Sequence, residues 1–182
     1  MKRITMRAAV AALTIPVAGL AAAGTADIAS AAAAQKPSAQ DVRWMKSNAQ
    51  TDLTEISAGK LVLSKTGNVD TRKLAKVTKA QHTTALSQLR RLAKRSGVTL
   101  PTSPNPMQLK QAAALKKLSG LTFDRAYDKA QIAGHKLSIS QTKTEIKRGA
   151  DGQVVAYAKQ YLPVAEMHLK MAQKLKGEIS TP

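Results

Sequence analysis

Apolar residues recur every three or four positions over most of the chain after residue 38, which is the spacing of amphipathic helices. Ser38 and Asp41 form a capping-box pattern at the start of the first such segment, and Gly67 is a candidate left-handed stop at its end. The pattern predicts a helix over about residues 39–65. Its apolar positions are Val42, Met45, Ala49, Leu53, Ile56 and Leu63.

A second segment of the same kind lies between Asn68, a good N-cap residue, and Gly97, a second candidate stop. We predict a helix over about residues 69–95. The apolar side of this helix consists of Leu74, Val77, Ala85, Leu89 and Leu92.

The next stretch, residues 98–106, contains three prolines and cannot be helical throughout. A shorter apolar pattern predicts a helix over about residues 107–118, ended by Gly120. Together these features form a long connection between the second and third long helices.

Two further long helices are predicted in the remaining sequence. The third opens at Thr122 or Asp124 and runs to about residue 147, and the fourth covers about residues 152–176. Asp151 is the expected N-cap of the fourth helix, and Gly177 is its expected end.

Four long helices with short turns within each pair, and one long connection between the pairs, indicate an all-α fold. We predict a ferritin-like four-helix bundle with a long crossover that contains a short extra helix. An up-down bundle with a decorated loop is the alternative. Hydrophobic residues make up 43% of the chain, which suits a single domain over residues 35–182.

The N-terminus has the three parts of a secretory signal peptide. Three basic residues precede an apolar run from Ala8 to Ala23, and small residues follow up to Ala34. We therefore assign residues 1–34 to a signal peptide and predict an exported protein of the cell envelope or the extracellular space, with no transmembrane segment in the mature chain. The chain has no cysteine, which excludes disulfides and a lipid-modified cysteine.

All three histidines of the chain fall on different predicted helices, and the helical spacing turns each of them toward the apolar side. Carboxylates at inward positions accompany them. An unpaired charge in a bundle core is costly, so such groups are expected to pair or to bind a metal. The candidate metal ligands are Glu55, His82, Asp124, His135 and His168.

Imidazole and carboxylate ligands suit zinc, copper or iron, so a transition metal ion is the candidate cofactor. A di-iron centre of the ferritin type needs Glu-x-x-His on two helices, whereas Lys79 precedes His82 and Ala165 precedes His168 at that spacing. This departure argues against ferroxidase chemistry. Two alternatives need no metal: satisfied hydrogen bonds that fix the helix register, and pH sensing by buried histidines.

The chain carries a net charge of +18, of which +16 remains without residues 1–34. The second helix has basic residues at helical spacing, which predicts a positive ridge for anionic wall polymers or lipid headgroups. Hydration of a soluble surface is the alternative. Nucleic acid is not expected, because export and the scarcity of aromatic residues argue against it. The candidate anion-binding residues are Arg72, Lys76, Lys79, Arg90 and Lys94.

Several local patterns resemble one family of exported bacterial proteins. They are Glu55-Ile56 with Gly59-Lys60-Leu61, His82 with Leu86 and Leu89, Leu100-Pro101, Leu118-Ser119-Gly120, Phe123-Asp124-Arg125-Ala126-Tyr127, Ala133-Gly134-His135, and Leu162-Pro163 with His168. Over about residues 40–176 the chain resembles the family called domain of unknown function 4142. The resemblance implies export and a ferritin-like fold, but no activity.

Motifs of common enzyme classes are absent from the sequence, including a phosphate-binding loop and a zinc-protease motif. We therefore predict an exported basic protein that acts by binding or in association with the envelope, and we do not predict an enzyme. The alternative is a metal-binding protein of the extracytoplasmic space.

Overall fold

The computed structural model describes residues 36–180, and the predicted signal peptide lies outside this range. The described residues form five α-helices and no strand, which confirms the all-α prediction. The helices are α1 (Ala39–Lys65), α2 (Val69–Arg95), α3 (Pro106–Lys116), α4 (Gly120–Arg148) and α5 (Gly152–Ser180).

Two helical hairpins, α1/α2 and α4/α5, form the bundle. The start of α1 contacts the end of α4, where Asp41 accepts hydrogen bonds from the backbone N–H groups of Ala150 and Asp151. Farther along, Glu55 on α1 contacts Gln131 on α4, so these two helices are antiparallel. Because α1 is antiparallel to both α2 and α4, α2 and α4 run in the same direction. The connection through α3 is therefore a crossover, and the ferritin-like prediction is confirmed.

Side-chain caps define the helix starts that the sequence predicts. Ser38 and Asp41 form the full capping box, in which Ser38 Oγ accepts from the Asp41 N–H and the Asp41 carboxylate accepts from the Ser38 N–H. Asn68 caps α2, and Asp151 accepts from the N–H groups of Gln153 and Val154 at the start of α5. These caps satisfy backbone donors that have no partner within the helix.

The prediction that glycines end the helices is only partly correct. Gly97 does adopt a left-handed backbone, with φ of 67°, after α2. Gly67 does not adopt a left-handed backbone. Instead, α1 ends at Thr66, whose backbone is extended. At the other end of the chain, α5 continues past Gly177 to Ser180. Helix α4 begins at Gly120, ahead of the predicted Thr122 or Asp124.

The bundle interior consists of two apolar clusters with a polar section in α1. One cluster surrounds Trp44, Leu89 and Tyr161, and the other surrounds Phe123 and Leu175. On α1, the most deeply buried positions follow a heptad spacing that is largely polar, whereas the predicted apolar positions Val42, Leu53, Ile56 and Leu63 are half-buried. Of the predicted apolar positions, Met45 and Ala49 are therefore fully buried, and the other four lie on the flanks of this face. The centre of this face consists of Asp41, Met45, Asn48, Asp52, Glu55, Gly59 and Val62.

Within residues 36–180, each helix is too short or too polar to be a membrane span.

Candidate metal centre

Three histidines from three helices meet in the middle of the bundle. His82 comes from α2, His135 from α4 and His168 from α5, and each has at most 1% of its surface exposed. The ring centroid of His168 lies 5.1 Å from the centroid of His82 and 5.1 Å from that of His135. The centroids of His82 and His135 are 5.8 Å apart. One candidate ligand atom from each residue lies within 4.8 Å of the other two.

One ring nitrogen of each histidine contacts an oxygen outside the cluster. His82 Nδ1 lies 2.7 Å from Asp52 Oδ1, and His135 Nδ1 lies 2.9 Å from the backbone carbonyl oxygen of Gln131. His168 Nε2 lies 2.7 Å from the side-chain oxygen of Gln81. Carboxylate, carbonyl and amide oxygens accept hydrogen bonds, so each of these ring nitrogens is placed to carry the proton.

The remaining ring nitrogens of His135 and His168 face each other. A neutral imidazole has one N–H, so an outer hydrogen bond leaves the second nitrogen with a free lone pair. His135 Nε2 and His168 Nδ1 are 3.2 Å apart, and with both outer bonds made, no proton remains to join them. His82 Nε2 is buried and has no hydrogen-bond partner among the described residues. The lone pairs of His135 Nε2 and His168 Nδ1 are therefore directed at each other, and His82 Nε2 is a third candidate ligand atom beside them.

The electrostatic environment keeps two of the three rings neutral. Burial lowers the pKa of His168 to about 3, and the neighbouring His82 and His135 add to this effect. Burial also lowers the pKa of His135, although the charge of Glu55 opposes the shift. Neutral imidazole is the form that binds metals, so His135 and His168 are ready to act as ligands at neutral pH.

His82 differs because it is paired with a buried carboxylate. Burial alone would lower its pKa, but the hydrogen bond with Asp52 and the charges of Glu55 and Asp52 outweigh that effect and raise it. Burial raises the pKa of Asp52 to about 6, against the stabilising effect of His82. At neutral pH the pair contains an Asp52 carboxylate that holds the His82 ring through Nδ1.

Glu55 lies beside the histidines and is held in place by α4. Its Oε2 accepts a hydrogen bond of 2.7 Å from the Gln131 amide, and its charge acts on both His82 and His135. Gln131 thus contacts the cluster twice, through its side chain to Glu55 and through its carbonyl to His135. Of the five predicted residues, the structure brings the ligand atoms of His82, His135 and His168 within 4.8 Å of one another, whereas Glu55 lies outside this group and acts on it through its charge.

Asp124 is buried, but it does not belong to this group. It precedes His135 by eleven residues on α4, which corresponds to about 16 Å along a helix axis. The sequence prediction placed Asp124 on the same face as His135, and a shared face does not bring two residues to the same level. Asp124 lies next to Phe123, whose ring is in the second apolar cluster.

The sequence analysis did not identify three residues that contact the histidines: Asp52, Gln81 and Gln131. For Asp52 a signal was present, since it lies three residues before Glu55 and seven after Met45 on the buried face of α1. Gln81 is exposed and Gln131 contributes partly through its backbone. Neither property has a sequence signature.

The predicted positive ridge on α2 divides into two groups. Arg72 is half-buried and donates from Nη1 to the carbonyl oxygens of Leu63 and Thr66, so it caps the end of α1. The stem of Lys79 packs close to Gly59, which leaves it half-buried. The other three residues, Lys76, Arg90 and Lys94, are exposed.

The fold and the buried polar cluster define a ferritin-like helical bundle with a three-histidine centre. The chain belongs to the family described as "Domain of unknown function (DUF4142)", whose model matches residues 26–175. A search among curated proteins found no match.

Two solved structures of similar fold support this architecture. One is a DUF305 fragment from Deinococcus radiodurans, with a TM-score of 0.70 and 15% identity, covering 78% of this chain and 98% of that one. The other is a DUF305 protein from Streptomyces coelicolor, described as a candidate secreted protein, with a TM-score of 0.67 and 12% identity, covering 78% of this chain and 94% of that one. At these identities the similarity shows the fold alone.

Proposed function

We propose that this protein is exported and binds a transition metal ion, zinc or copper, through His82, His135 and His168. The observation that carries the proposal is the pair His135 Nε2 and His168 Nδ1, 3.2 Å apart, with the outer nitrogen of each ring at an oxygen acceptor. Two facing lone pairs repel unless a cation lies between them. Ligand atoms of a tetrahedral site with bonds of about 2.0–2.1 Å are about 3.3 Å apart, which matches this separation.

The outer contacts are those that metal-binding histidines commonly make. A histidine ligand usually donates its other N–H to a carboxylate, a backbone carbonyl or a similar acceptor, which fixes the ring and its tautomer. All three rings have such a contact here, to Asp52, Gln131 and Gln81.

The candidate fourth ligand is either Glu55 or a solvent molecule. Imidazole ligands bind a metal in their neutral form and contribute no charge, so the carboxylates of Asp52 and Glu55 supply the negative charge that a divalent cation requires nearby. Nitrogen-rich sites favour zinc and copper over magnesium and calcium, which prefer oxygen ligands. We therefore expect selectivity against the last two ions.

Metal titration of the purified chain without residues 1–34 tests this function. Zn²⁺ and Cu²⁺ should bind with a stoichiometry of one per chain, and Co²⁺ should give the intense visible absorption of tetrahedral coordination. His135→Gln and His168→Gln should each abolish tight binding. Asp124→Asn, which alters a buried carboxylate outside the cluster, is the matched control and should bind as the wild type does. Equal binding by all four proteins would contradict the proposal.

A second candidate role is electrostatic adhesion to anionic polymers or lipid headgroups of the cell envelope. It is supported by the net charge of +16 that remains without residues 1–34 and by the exposure of Lys76, Arg90 and Lys94 on one helix. The triple variant of these residues to Gln should weaken sedimentation with isolated envelopes, and rising salt should release the wild type. The matched control is the triple variant Lys110→Gln, Lys116→Gln and Lys117→Gln, which removes the same charge from another part of the protein. Failure of the wild type to bind envelopes at low salt would exclude this role.

A further inference from the structure

The contact between Gln81 and His168 links the buried centre to the protein surface. His168 is fully buried, whereas Gln81 is exposed on α2, and 2.7 Å separates His168 Nε2 from Gln81 Oε1. An amide oxygen has no proton to give, so this hydrogen bond requires the proton to be on His168 Nε2. His168 Nδ1, which faces His135, is then free to bind a cation.

We propose that Gln81 is a positioning residue that selects the metal-binding tautomer of His168. This inference rests on the proposed function, because it concerns the readiness of one of the three ligands. If the amide turns over, its NH₂ group donates to His168 Nε2 instead. The ring proton must then be on Nδ1, where it points at His135 Nε2 and blocks the position that a metal would take.

The other two outer partners cannot reverse their roles in this way. The ionised carboxylate of Asp52 only accepts hydrogen bonds, and the backbone carbonyl of Gln131 is fixed within α4. Of the three outer partners, only Gln81 offers both a donor and an acceptor on an exposed side chain. Among the three histidines, the tautomer of His168 is therefore the adjustable one, and Gln81 controls it from the surface.

Two substitutions at this position separate acceptor chemistry from simple contact. Gln81→Met removes the acceptor without adding a charge, and Gln81→Glu keeps an oxygen acceptor. Gln88→Met is the matched control, since Gln88 is exposed on the same face of α2 one heptad later. The Zn²⁺ dissociation constant of Gln81→Met should rise about tenfold, as is usual for loss of an outer partner, and Gln81→Glu should restore tight binding.

The tautomer itself is measured by ¹⁵N NMR of the histidine side chains in the metal-free protein. In the wild type, His168 should carry its proton on Nε2, and in Gln81→Met the Nδ1–H form should become populated. An unchanged tautomer in Gln81→Met, or Zn²⁺ binding equal to that of Gln88→Met, would overturn the assignment of Gln81. If the wild type binds no metal, the proposed function fails, and the NMR comparison alone still decides the role of Gln81.

Discussion

Asp52 Oδ1 lies 2.7 Å from His82 Nδ1, and both side chains are buried between α1 and α2. This pair orients the His82 ring so that Nε2 points away from Asp52 and has no partner among residues 36–180. The carboxylate does what a fixed outer acceptor does at metal sites, and it also adds negative charge beside the three rings.

Asp52→Asn should weaken Zn²⁺ binding about tenfold, because the variant keeps the shape of the side chain but loses the charge that stabilises a cation. The pKa of His82 should fall in the same variant, since the Asp52 hydrogen bond and charge raise it. Isothermal titration measures the first effect and NMR titration of the ring measures the second. Glu166→Gln, which removes a half-buried carboxylate paired with Lys143, should change neither.

Glu145 should make the folded state less stable as the pH rises. Burial raises its pKa from 4.5 to about 7, and the neighbouring carboxylates of Asp41 and Asp151 contribute, against a hydrogen bond from Gln40. Because the folded pKa exceeds the unfolded one, the folded protein holds this proton more tightly. The stabilisation is complete below pH 4.5 and is lost as the pH approaches 7.

The variant Glu145→Gln isolates this effect. Urea unfolding of the wild type and the variant at pH 4.5 and pH 7.5 should show a smaller decline in the free energy of unfolding for the variant. Burial also raises the pKa of Asp52 and Asp128 to about 6, so a residual decline is expected in both proteins. Identical declines would show that Glu145 titrates normally in the folded protein.

Two glycines within long helices should respond to alanine in opposite directions. A Cβ atom at Gly59 would lie 2.7 Å from Lys79 Cβ and 3.1 Å from the carbonyl oxygen of Ala75, so Gly59→Ala must separate α1 from α2. We expect a loss of about 1–3 kcal/mol in unfolding free energy. At Gly134 no atom lies within 4 Å, and Gly134→Ala should stabilise the protein by about 0.5–1 kcal/mol. Chemical denaturation measures both, and a neutral Gly59→Ala would contradict the close approach.

Arg72→Met should lower the free energy of unfolding by about 1–2 kcal/mol, because it removes two hydrogen bonds to carbonyl oxygens at the end of α1. Lys76→Met removes the same charge from an exposed position of α2 and should have little effect. Comparable losses in the two variants would mean that charge, and not the cap, accounts for the contribution of Arg72.

Local signals in the sequence were sufficient for most of the fold. The predicted bounds of α1 and α2 match the structure because side-chain caps at Ser38 and Asn68 and a change of apolar pattern determine them within a few residues. Gly177 was misleading, since a glycine permits a helix to end without requiring it. Neither the sequence nor local chemistry indicated that α5 continues to Ser180.

The candidate site was less predictable because it depends on the level of each residue along the bundle. Periodicity assigned His82, His135 and His168 to buried faces, and the distances between them follow from how the hairpins dock. The same reasoning included Asp124, which is buried at a different level, and omitted Asp52, which is next to His82. Pairings between distant segments determine these outcomes, and a single sequence does not contain them.

The crossover connection has a consequence for the order of folding. His82 belongs to the first hairpin, whereas His135 and His168 belong to the second, and the long connection through α3 lies between them. Each hairpin can form from neighbouring segments, but the three rings meet only when the two halves associate. A metal ion supplied during refolding should therefore leave the early formation of helices unchanged and slow the separation of the halves, so that its effect appears mainly in the unfolding rate.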